Sequence, residues 1–154
     1  MAMHTWFECK IRYEKVMENG MQKKVTEPYL VDALSFTEAE ARIIEEMTPF
    51  ISGEFTVSDI KRANYSELFP SDEESADRWF KCKLVFITLD EKSGAEKKTS
   101  TQVLVQAADL RDAVKKLDEG MKGTMADYQI ASVAETAIMD VYPYSAEPDD
   151  KPEV

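Results

Sequence analysis

The sequence predicts an α+β fold: two tandem β-β-α-β repeats related by a pseudo-twofold axis, with an antiparallel-rich sheet, or two, carrying two amphipathic helices. Three observations predict it. The stretch Trp6-Phe7-Glu8-Cys9-Lys10-Ile11-Arg12-Tyr13 returns as Trp79-Phe80-Lys81-Cys82-Lys83-Leu84-Val85-Phe86, at a spacing of 73 residues. Each copy alternates apolar with polar residues, the period of a half-buried strand. A helix-capping pattern follows each copy at a matching distance, Ser35 with Glu38 and Asp109 with Asp112.

The first strand is expected from about Thr5 to Met17, with Phe7, Cys9, Ile11 and Tyr13 on the core face and Trp6, Glu8, Lys10 and Arg12 on the other. Asn19-Gly20 is a pair favoured in two-residue hairpin turns, whose central positions both need positive φ. A second strand follows to about Ala33. Pro28 within it has no N–H for a ladder bond, which predicts an edge or a bulge there. Phe36, Ala39, Ile43, Ile44 and Met47 recur at helical spacing until Pro49, and the outer face of that helix reads as solvated. A third strand from about Glu54 to Tyr65 shifts its apolar spacing between Val57 and Ile60, the mark of a bulge.

The plan then repeats. A strand from Trp79 to Leu89 turns at 90–94 and returns over about 97–107, and a helix capped by Asp109 is expected to bury Leu110, Ala113, Val114, Leu117 and Met121. A last strand is expected from about Tyr128 to Val141. The resulting division is a first repeat over 1–69, an acidic linker over 70–78, a second repeat over 79–142 and a disordered acidic tail over 143–154, the two repeats forming one domain. In each, a right-handed crossover places the third strand beside the first, so the tryptophan-bearing strand is central. The two units are expected either to extend into one six-stranded sheet or to stack face to face.

The net charge of −11, from 30 acidic and 19 basic residues, argues against binding that depends on neutralising many phosphates, though not against a local basic groove. Much of the excess sits in 72–77 and in the tail, which both read as unfolded. The two cysteines occupy equivalent apolar-face positions and read as buried small hydrophobes. The single histidine, His4, leaves no zinc spacing. There is no glycine-rich phosphate loop, nucleophile elbow or His-Glu-x-x-His helix. No catalytic residue, cofactor site or metal site is assigned, and an enzyme is not expected. No apolar run approaches a membrane span, which sets the expectation of a cytoplasmic protein.

The residues with something left to do lie on the outer faces of the central strands: Trp6, Lys10 and Arg12 in one, Trp79, Lys81 and Lys83 in the other, with Lys61 and Arg62 adding charge from the third strand. Tryptophan is rarely bare on a soluble protein, so the two indoles are expected to pack between the repeats or in a dimer, and the protein to act as an interaction module or self-associating subunit. The alternative is a sheet of aromatic platforms and lysines that holds single-stranded nucleic acid.

The blocks Trp6-Phe7-Glu8-Cys9-Lys10, Glu27-Pro28-Tyr29-Leu30-Val31, Ser35-Phe36-Thr37-Glu38-Ala39-Glu40-Ala41 and Ile60-Lys61-Arg62-Ala63 resemble, in that order, a bacterial family known only as a domain of unknown function. The resemblance runs nearly to Tyr144. It implies a bacterial or phage origin and no catalytic residues.

Overall fold

The computed structural model describes residues 5–124 and 127–143. Expectations for His4 and for the chain beyond Pro143 lie outside them. The elements are β1 (Thr5–Val16), β2 (Gln22–Ala33), α1 (Phe36–Met47), β3 (Phe55–Ala63), β4 (Glu67–Phe69), β5 (Arg78–Leu89), β6 (Glu96–Ala107), α2 (Leu110–Gly120), β7 (Asp127–Glu135) and β8 (Val141–Tyr142). They form two units: one holds the described residues up to Ala63 and from Ile138 on, the other Asn64–Ala137.

In the first unit the sheet order is β3-β1-β2-β8. β1 is antiparallel to both β2 and β3, as expected for the tryptophan-bearing strand. Its alternation puts Phe7, Cys9 and Ile11 beneath α1, where with Val31, Ala33, Ala39, Ile43 and Met47 they form the core. The helix begins as its capping box requires. The Ser35 hydroxyl accepts the Glu38 N–H at 3.1 Å, and the Glu38 carboxylate accepts the Leu34 N–H at 2.6 Å. Phe36 stays nearly half exposed, its ring meeting Phe7 edge-on at 4.9 Å.

Asn19-Gly20 does not make a two-residue turn. Only Gly20 has positive φ, at 83°, and Gly20 N–H donates to Met17 O at 2.9 Å, the bond pattern of a three-residue loop closed by a left-handed glycine. Asn19 instead spends its side chain on the Met21 N–H, at 3.0 Å. The bulge in β3 falls where its apolar spacing shifts, since Lys10 faces Asp59 and Ile11 faces Val57, leaving Ser58 extra. Pro28 sits opposite Lys10 with no break in register, on a stretch where β2 has no second neighbour strand.

The second unit has the order β4-β6-β5-β7. Phe80, Cys82, Leu84, Val103, Val105, Ala107, Ala113, Leu117 and Met121 form its core. Asp109 caps α2 by accepting the Asp112 N–H at 2.8 Å, and Asp112 accepts the Ala108 N–H at 3.0 Å. The Asp112 carboxyl is held below its ordinary pKa, chiefly by that backbone bond and then by Lys116. Leu110, expected inside, is half exposed, at the first position of α2.

Three expectations change. A single six-stranded sheet does not form; there are two four-stranded sheets, because β8 takes the outer edge of β2 and β4 that of β6. The strand expected to continue to Val141 ends at Glu135, where the Thr136 N–H and hydroxyl each donate to Trp79 O at 2.9 Å. The acidic stretch after β4 is not loose. Gln106 accepts the Ser71 N–H at 2.9 Å, and Lys116 Nζ reaches Ser71 at 3.1 Å, Glu73 at 2.9 Å and Asp112 at 2.9 Å.

Gly120, at the end of α2, lies against β4: a Cβ there would come within 2.9 Å of the Phe69 ring. Alanine ordinarily gains about 1 kcal/mol over glycine within a helix. Gly120→Ala is nonetheless expected to lose about 1 kcal/mol in urea unfolding through overpacking. Gly53→Ala, which meets nothing within 4 Å, is expected to stay within about 0.5 kcal/mol of the parent.

Candidate binding cleft

The register places the candidate face residue by residue. In the first unit Trp6 lies between Asp32 and Ala63, Lys10 between Pro28 and Asp59, and Lys61 opposite Glu8. Arg12 is exposed beside Thr26 and Thr56. The cations Lys10, Arg12 and Lys61 are thus interleaved with the acids Glu8, Asp32 and Asp59. Arg62 is turned away from this face. It pairs with Phe7, and its guanidinium lies 5.8 Å from the Phe7 ring and 5.6 Å from that of Phe36. The strand alternation from Lys61 could have signalled this.

In the second unit Lys81 and Lys83 are exposed, opposite Leu104 and Gln102. Trp79 is only 4% exposed and Leu104 fully buried, as is Leu30 on the corresponding face of the first unit. Trp6 is half-buried. A base cannot stack on an indole as enclosed as Trp79.

A concavity that sequence reasoning did not single out lies at the hairpin end of the first unit. It measures about 890 Å³ and is lined by the ends of β1, β2 and β3 and by the loop after α1. Phe50 and Val16 line it and are 75% and 66% exposed. Arg12, Lys15 and Lys24 contribute cations, Glu14 and Glu54 anions, and Tyr13 and Phe55 aromatic surface.

Tyr13 connects this cleft to a polar network on the core face. Glu27 stands opposite Ile11, so its carboxylate faces the helix side of the sheet. One oxygen accepts the Tyr13 hydroxyl at 2.9 Å and the Tyr29 hydroxyl at 3.2 Å, and the other lies 3.5 Å from Lys15 Nζ. Burial, reinforced by Glu27, pushes the Tyr13 phenol up to about 12 and Tyr29 upward as well. Both remain donors at neutral pH. The two-residue turn expected at Asn19-Gly20 would set Glu27 opposite Arg12 on the other face; the three-residue loop that forms shifts the pairing by one and brings Glu27 to Ile11. In the second unit the equivalent pairing sets Thr101 opposite Leu84, with Phe86 and Val103 in place of the two tyrosines.

The described residues contain no group of three or more His, Cys, Asp or Glu placed to hold a metal ion. No helix of the structure is long and apolar enough to cross a membrane. A model of the family described as a domain of unknown function, DUF4494, matches residues 5–144. The chain belongs to that family. No curated protein matches it. The description of the DUF4494 family carries no activity.

The two thiols of the DUF4494 chain are fully enclosed. Burial, with Glu8 and Asp59 adding, pushes Cys9 from 9.0 to about 12, and burial alone pushes Cys82 to about 11. In the unfolded chain both ionise near the ordinary value, so above pH 9 the unfolded state holds fewer protons and rising pH favours it. Neither thiol is expected to react with a thiol reagent in the native protein at pH 8, while both do so in urea. The thiols' contribution to unfolding free energy is expected to be undiminished from neutral pH up to about pH 9 and to fall between about 9 and about 12. A stability profile flat to pH 11 would contradict this.

Proposed function

We propose that the chain is a non-enzymatic protein-interaction module, and that the cleft at the hairpin end of its first unit holds a partner polypeptide. The observation that carries this reading is the exposure of Phe50 and Val16 on a concave surface, with Arg12, Lys15 and Lys24 beside them. Large apolar side chains left open in a concavity, with charges at the margin, match the anchor-and-rim organisation of binding sites. The Tyr13 phenol at the cleft stays protonated, which suits holding a ligand rather than attacking one.

The same reading treats the chain as one strand plan written twice, in a protein of bacterial or phage origin acting in the cytoplasm. Supporting the duplication, both sheets have the same order from the short parallel edge strand through the hairpin to the third strand, and their register shifts follow Lys10 and Lys83, 73 residues apart. Two enclosed, unpaired thiols are compatible with a reducing compartment.

Single-stranded nucleic acid across the face of Trp6 and Trp79 is the alternative. Exposed Lys81 and Lys83 support it; the enclosure of Trp79 and the acids among the first unit's cations weigh against it.

Affinity capture at native abundance, with mass spectrometry, tests the proposal. Losing two anchors at about 1.5–3 kcal/mol each, Val16→Ser with Phe50→Ser is expected to reduce recovery of the partner at least tenfold, with the thermal midpoint unchanged. Leu89→Ser, a 68% exposed leucine on the second unit, should leave recovery intact. Recovery indifferent to the double substitution defeats the proposal. Tryptophan quenching by an oligonucleotide, lost steeply with salt, would move the assignment to the alternative.

A further inference from the structure

We infer that the outer edge of β2 is a strand-acceptor site, filled in one chain by its own residues 138–143 and open to the same segment from a second copy of the chain. The site is short and specific. Met139 N–H donates to Pro28 O at 2.9 Å and Leu30 N–H to Asp140 O at 3.0 Å, and Val141 and Tyr142 then pair in parallel with Leu30 and Val31. The Tyr142 ring stacks on Tyr29, with centroids 6.2 Å apart and planes 24° from parallel. Arg42 of α1 donates to the carbonyl oxygens of Asp32 and of Pro143, the latter at 3.1 Å.

The occupant arrives from far along the chain. Residues 64–137 belong to the other unit. β7 is held at its end by Thr136 on Trp79 O, and only the exposed Ala137 separates that anchor from Ile138, which is already part of the first unit. A segment seated from a second copy makes the same bonds to β2, Tyr29 and Arg42. Closed and exchanged forms therefore differ only in association entropy and in the geometry of the junction, the condition under which exchange of identical elements is favoured. Opening the site breaks a two-residue parallel ladder and its flanking bonds, separates the Tyr29 and Tyr142 rings and uncovers Ile138, which is 6% exposed in the closed chain.

The edge also rejects other strands. Pro28 offers no donor, and Lys23 and Lys24 follow toward the hairpin, the devices by which sheet edges resist promiscuous pairing. The site accepts a segment that brings an aromatic ring to Tyr29 and a following carbonyl to Arg42, which selects residues 138–143 of a second copy.

The test uses the full chain, refolded from denaturant at about 1 mM, comparable to the effective concentration of a tethered segment, and separately at a hundredfold dilution. Light scattering should find a species of twice the monomer mass after the concentrated refolding and at least tenfold less of it after the dilute one. Tyr142→Ser impairs the donor and Tyr29→Ser the acceptor. Refolded together under two affinity tags, the pair can restore the tyrosine stack in trans, and is expected to give at least tenfold more mixed dimer than either variant gives alone. Absence of any wild-type dimer after concentrated refolding overturns the inference without need of the variants. So does a dimer that Tyr142→Ser alone forms as readily as the wild type, which would place the contact elsewhere.

Discussion

The register between each central strand and its hairpin partner is the constraint on which the rest depends. Side chains alternate with a period of two, so slipping β1 by one residue against β2 would take Phe7, Cys9 and Ile11 from beneath α1 and put Glu8 and Lys10 there. The loops that set this register differ in length, but each is closed by a left-handed glycine, Gly20 in one and Gly94 in the other. Once the pairing is set, each helix covers the face that carries Phe7, Cys9 and Ile11 in one unit and Phe80, Cys82 and Leu84 in the other. The cysteines, small and enclosed, let α1 and α2 approach that surface closely, which is also why their thiols are hard to ionise.

What was legible in the sequence follows from signals that are local. Alternation identified β1 and β5, the spacing of Ser35 from Glu38 and of Asp109 from Asp112 located both helix starts, and the shift at Val57 marked the bulge in β3. Parts decided by distant pairing were not legible. β4 and β8 are three and two residues long, too short for any periodicity, and each is a strand only because β6 or β2 offers it an edge. The run 72–77 reads as a solvated acidic stretch because its charges are visible and its anchor, Lys116 on α2, is more than forty residues away.

The same limit explains the candidate site. The sequence pointed to tryptophans and lysines on one face, and the structure separates that set: Arg62 covers two phenylalanine rings on the opposite face, and Trp79 is enclosed. The cleft instead depends on Phe50, in a loop, and on Tyr13, whose hydroxyl is fixed by a carboxylate from a neighbouring strand. Glu27 looks like a surface acid beside Thr26 and Pro28, because the two-residue turn that Asn19-Gly20 suggests would set it opposite Arg12, and only the three-residue loop brings it to the helix side. The second unit has Phe86 and Val103 at the similarly paired positions, and the network of Glu27 with Tyr13 and Tyr29 lies in the first unit.

The edges of the two sheets show a similar inequality. Both β2 and β6 are closed by a short parallel strand, but not with equal strength. β4 is followed by a segment bound to Lys116 and Gln106, and its Phe69 is pressed against Gly120 by a fit that leaves no room for a methyl group. β8 has one stacked ring, the guanidinium of Arg42 and, just before it, the buried Ile138. An element held by packing on several sides leaves only when the helix beside it moves, whereas one held by a two-residue ladder can open locally with its unit intact. The second unit's edge is therefore a structural seal. The first unit's edge is a reversible one, and it belongs to the same unit whose hairpin end is left open.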